Sequence, residues 1–174
     1  MTTINNHYVK SSASIVTTQL GIPEPQRQIF IDEAYRLGDT MYQKTNVKAI
    51  MSSYSIWEQT DLYNNLIQSI FNLISSLIET SDKLNLRLSN AWSAIYKKGH
   101  YTQSHYHLPS HTSFVYYLKS NGKTPIIFDE CEFKIQPKDD MLVIFPSYIV
   151  HSVPEHKDTE DRVVLAGNIE MDRI

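Results

Sequence analysis

The chain has a single cysteine, Cys131, in 174 residues. No internal disulfide can form, which fits a reducing compartment. No apolar run approaches the roughly 20 residues that span a bilayer, and the opening stretch "MTTINNHYVKSSAS" has no apolar core of a signal peptide. The expected location is therefore the cytoplasm, or a host's cytoplasm for a viral chain. There is no excess of basic charge: the formal net charge is -3, so a general grip on nucleic acid phosphates is not expected. Internal repeats and low-complexity tracts are absent. Glycine is scarce, at five residues against eleven tyrosines, a balance that implies no function by itself. The hydrophobic share of 41% and charged share of 20% are those of an ordinary globular chain with enough length for one core.

What is present falls into two halves. Residues 1–22 are polar and read as an extended or mobile lead, and residues 23–83 read as a helical lead-in. Pro23 and Pro25 mark a helix start, after which Phe30, Ala34, Leu37 and Met41 recur at helical spacing. The stretch "NVKAIMSSYSIW" (46–57) is rich in β formers and reads as a strand. From Asp61, a plausible N-cap, the residues Leu62, Leu66, Ile70, Leu73, Ile74 and Leu77 make one apolar stripe. From Leu84 the period changes to two. "KLNLRLSNAWSAIY", "HTSFVYYLK", "TPIIFD", "CEFKIQ", "DMLVIFPS" and "RVVLAGNIEM" read as strands, with Asn121-Gly122 as a hairpin turn between the second and third. The expectation is a single domain, 1–174, of α+β class and mainly β, with its core in 84–174. The expected buried set is Leu62, Leu66, Ile70, Leu73, Trp92, Ile95, Val115, Ile127, Leu142, Ile144, Val163 and Leu165.

Chemistry concentrates in "HYHLPSH", three of the seven histidines in seven residues. Residues i and i+2 of a strand share a face, so His105 and His107 present both imidazoles on one side. A third ligand has to come from elsewhere, and His151 follows the buried run "DMLVIFPSYIV". Three ligands on one face leave three positions of an octahedral ion open, as redox iron requires; zinc also accepts three histidines. The bland alternative is a chance cluster of hydrogen-bonded edge residues. His111 lies beyond "LPS" in a turn, His100 beside Gly99 in a loop, and His7 and His156 read as exposed.

"YKKGHYTQSHYH" resembles the first half of the metal motif of 2-oxoglutarate/iron(II)-dependent dioxygenases, especially the prolyl-4-hydroxylase-like group. Tyr96, Gly99 and His105 follow in that family's order, and "FVYYL" supplies its next strand. "FPSYIVHSVPEHKDTEDRVVLAGNIEM" is similar to the second half, a histidine after a Phe-Pro-Ser turn and a basic residue about ten positions on. Its wording is closest to a small group of these oxygenases from phages and marine bacteria. The resemblance implies a double-stranded β-helix (jelly roll) with the N-terminal helices packed outside. It implies that His105 and His151 hold Fe(II), and that Arg162 pairs with the C5 carboxylate of 2-oxoglutarate, aided by Tyr117. Tyr96 would lie near the iron end of the cosubstrate. The implied reaction consumes O2 and 2-oxoglutarate, releases succinate and CO2, and hydroxylates a peptide, an amino acid or another small substrate, with ascorbate in support. Oligomeric state is not implied.

One departure matters. The prolyl-hydroxylase pattern has a carboxylate two residues after the first histidine, where this chain has His107. Three neutral imidazoles leave an Fe(II) site at +2, which bound 2-oxoglutarate then neutralises. The alternative is that His107 only supports a ligand from behind, with water, an anion or His111 as the third ligand. Three rival readings stand beside this one. A cupin shares the spacing of Gly99, His105 and His107 and of Pro146 and His151, but not His111, Asp140 or Tyr148, and has no use for Arg162. A β-helix can serve as a binding module without catalysis. Zinc hydrolysis lacks an evident general base.

Overall fold

The computed structural model describes residues 13–39, 45–78, 84–120 and 122–173. Its strands are β1 (Val16–Gln19), β2 (Val47–Lys48), β3 (Ile50–Met51), β4 (Leu84–Tyr96), β5 (Tyr101–His105), β6 (Thr112–Lys119), β7 (Ile126–Phe128), β8 (Phe133–Ile135), β9 (Met141–Pro146), β10 (His151–Val153) and β11 (Arg162–Arg173). The helices are α1 (Glu24–Leu37), α2 (Ile56–Gln59) and α3 (Asp61–Leu77). The strands form a major sheet in the order β1-β9-β6-β11-β4-β3 and a minor sheet in the order β2-β5-β10-β7-β8. All the pairings are antiparallel. This is the expected jelly roll, with helices against the outer face of the major sheet.

Alternation along β4 and β11 divides the protein into two cores. One side of the major sheet, with Ile95, Phe114, Tyr116, Leu118, Leu142, Val163 and Leu165, packs on Phe30 and Ala34 of α1 and on Leu66, Ile70 and Ile74 of α3. The other side, with Trp92, Ala94, Tyr96, Tyr117, Val143, Phe145 and Val164, faces Ile126, Phe128 and Val153 of the minor sheet. Arg27 of α1 ties helix to sheet by donating to the carbonyls of Leu118 (3.1 Å) and Ile22 (2.7 Å).

Several local expectations change. Thr60, not Asp61, caps α3: its Oγ1 accepts from the Leu62 N–H at 3.3 Å. The buried face of α3 is Tyr63, Leu66, Ile67, Ile70 and Ile74, whereas Leu77 is exposed. "NVKAIMSSYSIW" is not one strand but two short ones, in different sheets, followed by α2. The segment after β6 makes no hairpin with β7, because β6 pairs with β9 and β11 while β7 pairs with β8 and β10. The chain crosses between sheets there, and a turn signal does not say whether the next strand returns to the same partner. Val115 and Ile127, like Leu62 and Leu73, are only half-buried. Met41, His7 and Asn121 lie outside the described residues.

Candidate metal and carboxylate site

His105 ends β5 and His151 begins β10, and the two are direct cross-strand partners in the minor sheet. His107 lies two residues past the end of β5, held by its N–H donating to the Ser147 carbonyl at 2.8 Å. The three side chains converge between the sheets. One ligand nitrogen from each lies within 4.8 Å of the others, and ring centroids are 4.4 Å (His105 to His151), 4.7 Å (His105 to His107) and 5.1 Å (His107 to His151) apart. Trp92 and Phe145 wall the cluster, at 6.0 Å from the His107 ring and 4.7 Å from the His151 ring.

Protonation and orientation suit a cation. Nδ1 of His105 donates to the Gln103 carbonyl at 2.8 Å, and Nδ1 of His151 to that of Ile149 at 3.0 Å. Each carbonyl only accepts, so the proton is on Nδ1 and Nε2 keeps its lone pair. Burial lowers the pKa of all three rings. For His107, loss of solvent and the neighbouring His151 and His105 bring it down to about 3. For His151, burial and His105 bring it to about 4; His105 is lowered mainly by burial. At neutral pH all three are uncharged bases, the state that binds metal. The donor set of three imidazoles fits iron, zinc, cobalt or nickel.

At the other end of the cavity stands Arg162, the first residue of β11, 1% exposed. Its Nη1 donates to the Thr124 carbonyl at 3.4 Å and its Nη2 to the Tyr117 hydroxyl at 3.3 Å, both long, and Nε has no partner. No carboxylate among the described residues forms an ion pair with it. The rings of Tyr96 and Tyr117 flank the guanidinium carbon at 4.9 and 5.0 Å. Burial pushes both phenols up despite the cation, so each keeps its proton. Tyr96 is the cross-strand partner of Arg162 and shares a 2.6 Å hydrogen bond with Thr102. It therefore lies against the guanidinium, whereas the resemblance implied a place near the iron end of the cosubstrate. A buried guanidinium with unused donors is costly unless an anion joins it.

One narrow cavity of about 40 Å³ runs between the two ends and is lined by His105, His107, His151, Tyr96, Thr102 and Arg162 together with apolar walls. A second depression opens beside His105 and His107 and is lined by Asn46, Tyr54, Asn90, Trp92, Tyr106 and Asn168, among others. No described residue lining it is charged. His111 is exposed and outside the cluster, hydrogen-bonded to Thr112. His156, expected at the surface, is fully buried. Its Nε2 donates to the Glu160 carbonyl at 2.7 Å, and its Nδ1 meets Thr124 Oγ1 at 3.1 Å, so it braces the residue whose carbonyl receives Arg162. Sequence reading also missed Asn168 and Asp129. Asn168 was findable: Arg162, Val164, Ala166 and Asn168 alternate onto one strand face, and all four line the cavities. Asp129 was not. It accepts from Ser104 (2.6 Å) and Ser152 (2.7 Å), the neighbours of His105 and His151, and nothing local announces that.

No protein-family profile and no curated protein matches the chain. Solved structures do. A viral collagen prolyl hydroxylase from Paramecium Bursaria Chlorella virus-1 is similar with a TM-score of 0.70 and 15% identity over 97% of each chain. A prolyl-4-hydroxylase from Pseudomonas putida is similar with a TM-score of 0.68 and 15% identity over 91% of this chain and 93% of that one. HygX from Streptomyces hygroscopicus, solved with nickel and 2-oxoglutarate bound, has a TM-score of 0.69 and 9% identity over 91% and 83%. At such identities the likeness is one of fold, a fold these oxygenases share.

Proposed function

We propose that the protein is an Fe(II)- and 2-oxoglutarate-dependent dioxygenase that hydroxylates a peptide, an amino acid or another small substrate. The observation that carries this reading is Arg162, a buried guanidinium with spare donors in the same cavity as three neutral, converging imidazoles. A metal site alone would suit a cupin. The arginine asks for a ligand with a carboxylate at one end and metal-binding atoms at the other, and 2-oxoglutarate has that shape. The solved structures of like fold with 2-oxoglutarate bound support the reading.

In this reading His105, His107 and His151 hold the iron. Iron(II), when bound, supplies the activation of O2 that couples oxidative decarboxylation of 2-oxoglutarate, to succinate and CO2, with hydroxylation. The chain's own residues bind and orient. Arg162 offers a planar fork that a carboxylate matches with two parallel hydrogen bonds. Tyr117 can add a third from its retained proton. Trp92, Phe145 and Val164 wall the cavity with apolar surface, a low-polarity setting that strengthens those charge-assisted bonds. The uncharged depression at Tyr54, Trp92 and Tyr106 suits a neutral part of the substrate, with Asn46 and Asn90 able to pair with amide or hydroxyl groups. Exposed, unpaired Cys131 favours a reducing compartment, and we place the reaction in the cytoplasm.

The test is succinate release from the iron-loaded protein across peptides, amino acids and nucleosides, with direct measurement of 2-oxoglutarate binding. His151→Ala should abolish turnover. Arg162→Ala should weaken 2-oxoglutarate binding by about 100-fold, the loss of roughly 3 kcal/mol of charged hydrogen bonding. Binding indifferent to Arg162→Ala would overturn the assignment.

A further inference from the structure

Asn168 is 3% exposed and lies beside a register shift of β11 against β4. Its Oδ1 accepts from Ser113 Oγ at 2.7 Å, and Ser113 Oγ in turn meets Ser147 Oγ at 2.8 Å. Its Nδ2 donates to Asn90 Oδ1 at 2.7 Å and lies 3.5 Å from Nδ1 of His107. This last contact sets His107 apart from the other two rings. His105 and His151 have Nδ1 on a backbone carbonyl, a pure acceptor, which fixes the proton there. His107 has instead a primary amide, which offers a donor on one arm and an acceptor on the other.

The two orientations of that amide have opposite consequences. With Nδ2 toward the ring, Nδ1 of His107 accepts, and the ring proton is on Nε2, the nitrogen left to face the cluster. With Oδ1 toward the ring, Nδ1 donates and Nε2 offers a lone pair. The arms of an amide have nearly the same shape, so hydrogen-bond partners alone decide between them. Here the partners allow both. Asn90 is itself an amide and can turn over to donate to Asn168 Oδ1. The Ser113 hydroxyl can accept from Asn168 Nδ2 while donating to Ser147. The hydrogen bonds that join Asn168 to Asn90 and Ser113, and Ser113 to Ser147, are all kept in either arrangement.

We propose that Asn168 is the positioning residue that makes His107 a third metal ligand, and that Asn168 and Asn90 turn over together when the metal binds. Without a cation, three lone pairs aimed at one point repel, and a His107 Nε2–H pointing at its neighbours relieves that. With a cation, the lone pair is needed and Oδ1 must face Nδ1. One proton leaves Nε2 for solvent and one arrives at Nδ1 from solvent, so the charge of the ring does not change. This rests on the reading of His105, His107 and His151 as a metal site.

Cobalt(II) titration of the full metal-free chain, without 2-oxoglutarate, tests it. Asn168→Asp keeps the shape but only accepts, and should bind cobalt at least tenfold more tightly. Asn168→Ala removes the acceptor and should bind at least tenfold more weakly. An added carboxylate also attracts a cation directly, so Asn168→Asp is repeated with His107→Ala. The gain should vanish there, because it acts through the ring. Long-range ¹H–¹⁵N spectra should show the His107 proton on Nε2 without metal and on Nδ1 with zinc. If His107→Ala weakens cobalt binding but neither Asn168 variant changes it, the role of Asn168 is refuted and the three-histidine site stands. A gain from Asn168→Asp that persists with His107→Ala also refutes it. If His107→Ala binds cobalt like the unaltered chain, the three-histidine site fails, and this inference with it.

Discussion

At the scale of single residues, the protein places opposite electrostatic demands at the two ends of one cavity. The imidazoles are kept neutral by burial, while Arg162 stays buried with donors to spare. The tyrosine beside it should matter less than the arginine. Tyr117→Phe removes one hydrogen bond from an uncharged donor to a carboxylate, so 2-oxoglutarate binding should weaken by about tenfold, roughly 1.4 kcal/mol, measured by calorimetry on the metal-loaded protein. The imidazoles predict a pH dependence. The folded-state values of about 3 for His107 and about 4 for His151 lie below the ordinary 6.5. Between pH 6.5 and 4 the unfolded chain therefore takes up protons that the folded chain refuses, and stability is lost as pH falls through that window. The metal-free protein should melt at lower temperature at pH 5 than at pH 7, by about 2–4 °C for each kcal/mol of this linkage. His107→Gln should show a shallower fall. Much of this site was legible beforehand, since the i, i+2 spacing of His105 and His107 implies a shared direction wherever the chain is extended. His156 was not legible. It stands in "EHKDTED", whose polarity is that of a solvated loop, and its burial comes from Thr124 and Glu160 closing around it.

At the scale of elements, the long strands β4 and β11 carry the guanidinium end of the site, and their pairing sets which residues meet. It puts Tyr96 opposite Arg162 and Asn90 opposite Asn168. Gly167 makes that pairing possible. A Cβ there would meet Phe114 Cζ at 2.6 Å and the Asn90 carbonyl oxygen at 2.8 Å. The backbone oxygen cannot move aside, so Gly167→Ala should destabilise the fold by about 1–3 kcal/mol, read from denaturant midpoints. The Asp129 clamp on the other sheet holds Ser104 of β5 to Ser152 of β10. Asp129→Ala should loosen metal binding by about tenfold while the melting temperature changes little, as the carboxylate is only half-buried. β11 is buried on both faces over 162–169, and period-two alternation marks chiefly the first half of β4, where one face is covered. Alternation could not reveal partners, which is why the β6–β7 segment read as a hairpin.

At the scale of the whole molecule, the cavity lies between two sheets that contribute different things. The minor sheet brings His105 and His151, the major sheet brings Arg162, Tyr96, Tyr117 and Asn168, and His107 lies on the chain between β5 and β6. A ligand that bridges the two ends therefore fastens one sheet to the other. Metal and 2-oxoglutarate together should raise the melting temperature more than the sum of each alone. At 100 times its dissociation constant a ligand adds about 2.7 kcal/mol, or roughly 5–11 °C here. Strictly additive shifts in a cobalt and 2-oxoglutarate thermal melt would argue that the two do not meet.

The place of β11 has a consequence for synthesis. It is inserted between β6 and β4, so as the chain leaves the ribosome the two halves of that sheet stand open until residues 162–173 emerge. An unfinished chain can already display its histidines but lacks the arginine at the other end of their cavity. The order of the strands thus ties completion of the cavity to completion of the sheet, since its guanidinium end joins the histidines only with the last strand.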